Sequence, residues 1–357
     1  MTTSPEWAED IKAESDAHTA AENAPETDAL PKSFTPGGTF FLHAPDTPPA
    51  VWGEGGDVLW AEGESLILAG PQGVGKTTIA HQVIRGRLGL QDTVLGMPVR
   101  PGKRVLMLLM DRPAQARRAG HRIYSKDDEK YLNEHLVIWE GPPPYDLAKR
   151  PEILAAMCEK AGADTVLVDS IKDGAIGISA DEVGAGYNRA RQKALAEGVQ
   201  VLENHHTKKA GTNGSEPNTL ADVYGSTWIT AGSGSVIMLW GEAGDPIVSF
   251  RHLKQPMNEV GPFQLIHDHP SGLTTVRHAV DLIDMARIKG VHGLTAADAA
   301  SAMFETKKPT AAEKERVRRR LAQLVDKGML SKREPAAPGD PVRWYPAHPG
   351  LRAQAAS

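Results

Sequence analysis

The stretch Gly70-Pro71-Gln72-Gly73-Val74-Gly75-Lys76-Thr77 matches the pattern G-x-x-x-x-G-K-[ST] at every fixed position. An apolar run at residues 66–69 precedes it, and a helical pattern at residues 76–88 follows. Glycines in such a loop let backbone N–H groups surround phosphate oxygens, and the positive end of the following helix attracts the same anion. A glycine-rich turn could match by chance, but the flanking strand and helix favour a phosphate-binding loop.

The side chains of this loop predict ATP and Mg²⁺ as cofactors. Lys76 can reach the β- and γ-phosphates of a nucleotide, and the Thr77 hydroxyl can bind Mg²⁺. Asp169 ends the apolar run at residues 165–169 and is the predicted second metal ligand, the alternative being a strand-end carboxylate without a metal. The predicted nucleotide-binding residues are Gly70, Pro71, Gln72, Gly73, Val74, Gly75, Lys76, Thr77 and Thr78.

Short apolar runs alternate with amphipathic stretches over residues 40–276, which is typical of an α/β domain with a mostly parallel central sheet. The apolar runs predict strands at residues 65–69, 104–110, 136–140, 165–169, 200–203, 235–239 and 246–250. The amphipathic stretches predict helices at residues 76–88, 113–124, 151–161 and 181–198.

The charges of the chain are segregated. The 357 residues carry a net charge of −5, but residues 1–30 alone carry −7 and residues 277–357 carry +6. Residues 1–36 have no sustained apolar period and are predicted to be a disordered acidic segment, and residues 347–357 a flexible tail. The basic end suggests a polyanionic partner, although its charges could also be simply solvated.

The composition excludes several classes of protein. Cys158 is the single cysteine, so an intrachain disulfide framework is impossible, which fits a reducing cytoplasm. No apolar run approaches the ~18 residues that span a bilayer, and the acidic N-terminal stretch lacks the apolar core of a signal peptide. We therefore expect a cytoplasmic protein without a membrane partner.

Two further polar positions follow predicted strands. Asp111, within Met110-Asp111-Arg112-Pro113, follows a strand that we expect beside the phosphate-loop strand, and it is a candidate general base or, alternatively, only the N-cap of the next helix. His206, within Glu203-Asn-His-His206-Thr, is a candidate sensor of the γ-phosphate. Zinc binding by the His pair and a purely structural polar role are the alternatives, and no third zinc ligand stands at a suitable spacing.

Five stretches together resemble a known family. They are GPQGVGKTT at 70–78, LMDRP at 109–113, VLVDS at 166–170, LENHHTKK at 202–209 and GSTWITAGSGSVIML at 225–239. Over about residues 50–260 the chain resembles the RecA-like P-loop ATPases of the RepA-type hexameric helicases, a branch close to the DnaB-like replicative helicases. Phage and plasmid genomes carry many proteins of this kind. The resemblance implies a RecA-like core that assembles as a ring, most commonly a hexamer, with ATP bound between subunits.

The resemblance also assigns roles to single residues. The catalytic glutamate of the family corresponds to Asp111, one methylene shorter, and the family sensor corresponds to His206. The loops that face single-stranded DNA correspond to about residues 171–184 and 208–225, the second of which carries Lys208 and Lys209. The family's trans-acting cation falls near Arg251 and Lys254, where Lys254-Gln-Pro replaces the Lys-x-Arg of DnaB-like proteins.

Residues 277–346 have a pattern of their own. Helical patterns at 278–289 and 295–304 precede a third that opens with the capping box Thr310-Ala-Ala-Glu313, and two strands follow at 329–334 and 342–345. Three helices followed by a hairpin is the order of a winged helix-turn-helix domain. We expect the third helix to bind duplex DNA and the hairpin to contact its backbone, with a protein-docking module as the alternative. The predicted contacts to duplex DNA are Arg316, Arg319, Arg320 and Lys332.

Three functions are compatible with these residues. The first is an ATP-driven ring motor, a DNA helicase of phage- or plasmid-type replication. The second is an ATP-switched replication initiator or helicase loader that does not separate strands. The third, a small-molecule kinase, is disfavoured because the sequence shows no lid with paired arginines and a kinase has little use for a basic winged helix.

Overall fold

The computed structural model describes residues 35–208, 216–277, 281–304, 306–335, 337 and 340–347. The predicted acidic segment lies almost wholly outside this part of the chain, as do Lys209 and residues 348–357 of the predicted tail. The chain divides into two compact units, residues 1–276 and 277–357. In the described ranges, no helix is both long and apolar enough to cross a bilayer.

The first unit consists of a large sheet covered by helices on both faces. Its strands are β1 (Ala50–Glu54), β2 (Asp57–Ala61), β3 (Ser65–Ala69), β4 (Thr93–Val94), β5 (Met97–Pro98), β6 (Val105–Leu109), β7 (Leu136–Glu140), β8 (Thr165–Asp169), β9 (Gln200–His205), β10 (Ser235–Trp240), β11 (Ile247–Lys254), β12 (Phe263–Asp268) and β13 (Leu273–Val276). Its helices are α1 (Gly37–Leu42), α2 (Lys76–Arg87), α3 (Pro113–Ile123), α4 (Glu129–His135), α5 (Ile153–Ala161), α6 (Ile171–Gly174), α7 (Asp181–Ala196) and α8 (Thr227–Ala231).

Nine strands in the described part of this unit form one sheet in the order β13-β12-β11-β10-β3-β9-β8-β6-β7. The strands from β10 through β3, β9, β8 and β6 to β7 are parallel, and β11, β12 and β13 extend the sheet antiparallel. The fold class predicted for this domain, α/β with a mostly parallel central sheet, is therefore confirmed. The predicted position of β6 beside β3 is wrong, because β9 and β8 lie between them.

Strand β3 shows why the sheet is buried on both faces. All five of its residues are buried. Ile67 and Ala69 pack into the cluster that contains residues of α5 and α7, whereas Leu66 and Leu68 pack into the cluster that contains residues of α2. Successive side chains of a strand point to opposite faces, so a strand covered on both sides must be apolar throughout.

The second unit is a small helical domain with a three-stranded sheet. Its elements are α9 (Leu282–Lys289), β14 (Leu294–Thr295), α10 (Ala296–Met303), α11 (Ala311–Asp326), β15 (Leu330–Arg333) and β16 (Arg343–Pro346), with sheet order β14-β16-β15. Val317 and Leu321 of α11 pack with Trp344 of β16 in its core. The predicted capping box at Thr310 and Glu313 is confirmed, because each side chain bonds the other's backbone N–H.

A buried ion pair ties β9 to α7. Both side chains, Glu203 and Arg191, are fully buried, with Arg191 Nε 3.0 Å from a Glu203 carboxylate oxygen. The Tyr187 hydroxyl donates to the same carboxylate at 2.6 Å, and Arg191 also donates to the carbonyl of Ile229 in α8 at 3.0 Å. The pair thus holds one strand and two helices together around the strand that precedes His206.

We expect Arg191→Ala to lower the free energy of unfolding of the first unit by about 3–5 kcal/mol, because it leaves the Glu203 carboxylate buried without its cation. Urea titration followed by a probe in this unit measures the change. The matched control is Arg189→Ala on the exposed face of α7, which should shift stability by no more than ~0.5 kcal/mol. Equal effects of the two substitutions would contradict the assigned role of the pair.

Candidate active site

The phosphate-binding loop lies between β3 and α2, as predicted. Gly73 and Gly75 have φ angles of +84° and +86°, which side chains with a Cβ rarely adopt. A Cβ on Gly75 would also come 2.2 Å from the ring of His267. Helix α2 begins at Lys76, directly after Gly75, so its first N–H groups and the positive end of its dipole lie at the loop.

Residues of this loop line a cleft of about 250 Å³, which we call the nucleotide cleft. Three other predicted site residues, from the ends of β6, β8 and β9, line the same cleft. The structure thus brings together Gln72, Gly73, Gly75, Lys76, Thr77, Thr78, Asp111, Asp169 and His206. This convergence follows from the topology, because parallel strands end at one edge of the sheet.

Lys76 is held over the loop by two carbonyl groups. Its amine donates to Gly70 O at 2.9 Å and to Pro71 O at 2.6 Å. Burial lowers the pKa of Lys76 to about 8, although the nearby Asp169 carboxylate opposes this shift. The amine is therefore a cation at neutral pH that gains from an anionic partner.

The Thr77 hydroxyl and the Asp169 carboxylate form the candidate Mg²⁺ site. Thr77 Oγ1 donates to Asp169 Oδ2 at 3.1 Å, which brings two oxygen ligands together at the foot of the cleft. Burial raises the pKa of Asp169, although its hydrogen bond to Thr77 and the charge of Lys76 oppose the shift. A buried carboxylate beside a hydroxyl fits a hard cation with oxygen ligands. Bound there, Mg²⁺ would neutralise phosphate charge.

Asp111 is exposed at the rim of the nucleotide cleft. The N-cap of α3 is Arg112, whose helix has no side-chain cap, so the alternative that Asp111 caps this helix is wrong. Its carboxylate instead lies 3.7 Å from Arg112 Nε, and both side chains are about half exposed. Asp111 is therefore available to a ligand or a water molecule in the cleft.

The two histidines at the end of β9 have different environments. His205 is buried and donates from Nε2 to the carbonyl of Tyr224 at 2.7 Å. His206 is the first residue beyond the strand and lines the nucleotide cleft. Burial, and then the charge of Lys76, lower the pKa of His206 to about 4. The ring is neutral at pH 7, so it can donate or accept a hydrogen bond but supplies no charge to a phosphate. Among the described residues, no group of three or more His, Cys, Asp or Glu side chains could hold a metal ion.

Arg251 and Lys254, the predicted trans-acting cations, do not line the nucleotide cleft. Arg251 Nε lies 2.9 Å from a Glu216 carboxylate oxygen. Lys254 Nζ donates to Thr230 O at 3.1 Å and to Ala231 O at 2.8 Å, at the C-terminal end of α8. Within the described part of this subunit, both cations thus have internal partners.

Two histidines of the nucleotide cleft have no counterpart in the sequence-based predictions. His267 of β12 donates from Nε2 to Val74 O at 3.1 Å and accepts from the Thr274 hydroxyl at 2.7 Å, so it supports the phosphate loop from behind. His269 lies beyond the same strand and lines the cleft near Arg122, which donates to its carbonyl at 3.3 Å. The only sequence signal was the His-Asp-His spacing in a stretch for which no strand was predicted.

The lowered pKa of Lys76 predicts how nucleotide affinity depends on pH. Phosphate binds the protonated amine, so affinity for a non-hydrolysable ATP analogue should fall above pH 8, approaching ~tenfold per pH unit. Calorimetric titrations between pH 7 and 9.5 measure this slope. The Lys76→Met variant should bind the ATP analogue weakly, and its affinity should not fall above pH 8. A wild-type affinity that stays constant over this range would contradict the assigned role of Lys76.

Comparisons with known proteins find one family model and similar solved structures. Among solved structures, the chain is similar to a KaiC-like protein from the hyperthermophilic archaeon Pyrococcus horikoshii OT3, with 18% sequence identity, a TM-score of 0.42, and coverage of 61% of this chain and 91% of that chain. No curated protein matches the chain. Residues 39–212 match the family model described as an AAA domain. That match includes the phosphate loop, Asp111, Asp169 and His206.

Proposed function

We propose that the chain is a DNA-dependent ATPase that forms a ring, most commonly a hexamer, and works as a helicase motor in replication of the phage or plasmid type. The observation that carries this proposal is the path of β9. The strand ends at the nucleotide cleft with His206 and continues directly into Lys208 and the predicted DNA-facing loop. Only a short stretch of backbone therefore separates the γ-phosphate sensor from a basic loop, so a movement of the sensor can be passed to the loop.

The base of this loop is closed by backbone pairing. Thr207 and Val223 form an antiparallel bridge, Lys208 N donates to Asp222 O at 2.8 Å, and Tyr224 N donates to His206 O at 3.0 Å. A shift of His206 would therefore move both ends of the loop together. Lys208 lies at this base, where a cation can contact the phosphates of a single strand.

Hydrolysis in this proposal depends on Asp111 and His206. Asp111 orients and deprotonates the attacking water, and the neutral His206 senses the γ-phosphate through a hydrogen bond. In a ring, Arg251 or Lys254 would leave its internal partner to stabilise charge in the neighbouring subunit's cleft.

The second unit supports a DNA partner. The proposed winged helix-turn-helix is supported by its order of helices and strands, and α11 exposes Arg316 and Arg319 while burying Val317 and Leu321. Glu315 lies 3.0 Å from Arg318 and 3.8 Å from Arg319, so part of the positive charge of α11 is compensated within the helix. In the hairpin, Lys332 lies 2.7 Å from Glu334. Such exposed pairs are worth little in water and yield readily to phosphates.

An ATP-switched initiator or loader is the second candidate. The observation that favours it is the short, half-exposed Asp111 side chain beside Arg112, because a carboxylate set back by one methylene favours slow hydrolysis. Such an enzyme would change its assembly with ATP and would not separate strands.

Substitutions of Asp111 distinguish these two candidates. Asp111→Asn should retain ATP binding and reduce turnover by ~10²–10⁴-fold, because it removes the general base. Asp111→Glu should leave turnover similar or lower for a motor, whereas a clear increase would indicate a slow switch and favour the initiator. Steady-state phosphate release and ATP binding measure both effects. Unchanged turnover in Asp111→Asn would contradict the assignment of the base.

Neutralising the two DNA surfaces separately tests the partner. Replacing Arg316, Arg319 and Lys332 with Ala should weaken duplex binding and reduce its log–log salt slope by ~0.9 for each lost phosphate contact. It should leave stimulation of the ATPase by single-stranded DNA intact. Replacing Lys208 and Lys209 should have the reverse effect. Full duplex affinity without the cations of the second unit would show that this unit is a protein-docking module.

A further inference from the structure

Strand β9 carries polar side chains at positions where a central strand of a parallel sheet is normally apolar. The strand lies between β3 and β8, and all of its residues are buried. A strand that is buried on both faces is expected to be a continuous apolar run. Glu203, Asn204 and His205 nevertheless follow one another, each with an exposed fraction of 0%. Glu203 is paired with Arg191, and His205 donates to the Tyr224 carbonyl.

By contrast, neither the nitrogen nor the oxygen of the Asn204 amide makes a hydrogen bond within the described part of the chain. A buried amide without partners is costly, and folded proteins retain few such groups. The residues level with Asn204 on the two adjacent strands are Leu68 of β3 and Asp169 of β8. Of these two neighbours only Asp169 has a polar side chain, so its carboxylate is the group beside the amide that can accept a hydrogen bond from it.

The Asn204 amide lies on the face of the sheet that carries the candidate Mg²⁺ site. Leu202, two residues earlier on β9, packs in the cluster that contains residues of α2, and alternate residues of a strand share a face. Burial raises the pKa of Asp169, and the Asn204 amide opposes this rise, so the amide is close to the carboxylate. Thr77 already donates to Asp169 Oδ2. A carboxylate accepts several hydrogen bonds, so it can accept one from the amide as well.

We propose that Asn204 is a positioning residue of the Mg²⁺ site, whose amide donates to the Asp169 carboxylate and fixes its orientation toward the metal. The inference rests on the proposed Mg²⁺ site of Thr77 and Asp169. An amide suits this task because it is neutral. It orients the carboxylate and leaves the negative charge for the metal, whereas a cationic side chain would neutralise that charge. Groups that hold a metal ligand in place typically change metal affinity by ~10–100-fold when they are removed.

This role sets metal binding against stability. In the metal-free protein the amide is buried and unpaired, so replacing it with an apolar side chain removes a cost. Asn204→Leu keeps the number and branching of the side-chain heavy atoms, and it extends an apolar surface to which Leu66, Leu68 and Leu202 already belong. A residue retained for folding alone would behave in the opposite way, because its removal would lower stability and leave metal binding intact.

Calorimetry of a non-hydrolysable ATP analogue at increasing Mg²⁺ concentrations tests the proposal on the full chain. In Asn204→Leu, and in the smaller Asn204→Val, the Mg²⁺ concentration that gives half of the gain in affinity should be ~10–100-fold higher than in wild type. The full gain should still be reached at high Mg²⁺, because Asp169 is still present. Asp169→Asn should lose the gain itself at any Mg²⁺ concentration. Affinity for the metal-free analogue should be the same in all of these proteins.

Urea unfolding without nucleotide or metal measures stability in the same proteins. Both Asn204 variants should have a midpoint equal to or higher than that of wild type, and the valine variant guards against overpacking by the larger leucine. The control is Thr165→Val, at the opposite end of β8 from Asp169. Its buried hydroxyl accepts from Arg87 Nε at 3.0 Å. The control should lower the urea midpoint and leave the Mg²⁺ titration unchanged, because it removes a polar group that has a partner.

Three outcomes would overturn the positioning role. They are a wild-type Mg²⁺ titration in both Asn204 variants, a fall in their urea midpoints as large as that of the control, and a failure of both variants to fold. The first of these, together with a lost gain in Asp169→Asn, would refute the role of Asn204 and leave the Mg²⁺ site intact. A full gain in Asp169→Asn would instead show that the proposed Mg²⁺ site is itself wrong.

Discussion

The hydrogen bond from the Thr77 hydroxyl to the Asp169 carboxylate, 3.1 Å long, is the interaction on which the site depends. It joins the first turn of α2 to the end of β8, although β9 separates β8 from the strand that leads into the loop. Two glycines with positive φ allow the loop to turn back over the sheet, and His267 fills the space behind it. The result is a buried carboxylate with a raised pKa beside a lysine with a lowered one. A magnesium ion would stabilise the charged form of the carboxylate, and a phosphate would stabilise the charged form of the lysine.

Local patterns predicted the parts of the fold that local physics determines. The strand before the loop, the loop itself, α2 and the strand that ends in Asp169 all lie within a residue or two of their predicted positions. The order of the parallel strands could not be predicted in this way, because buried parallel strands have similar apolar patterns and their neighbours are set by non-local packing. Strand β6 was therefore placed beside β3, whereas it lies beyond β9 and β8.

The residues of the candidate site could be predicted where a short motif follows a strand. They could not be predicted where segments that are distant in sequence meet. Lys76, Thr77, Asp111, Asp169 and His206 converge because their strands end at one edge. The role of His267 arises from the return of β12 to the loop, nearly two hundred residues after it, and no short pattern encodes that contact. The sequence left open whether Asp111 caps α3. The structure answers this question, because α3 begins without a side-chain cap.

The central claim is that Thr77 and Asp169 bind the magnesium of an ATP complex, and calorimetry of ATP binding with and without Mg²⁺ tests it most directly. In wild type, Mg²⁺ should tighten ATP binding. In Asp169→Asn, which keeps the shape of the side chain and removes its charge, Mg²⁺ should give little or no gain, while binding of metal-free ATP should persist. If Mg²⁺ tightened ATP binding equally in both proteins, Asp169 would not be a metal ligand and this account of the site would be wrong.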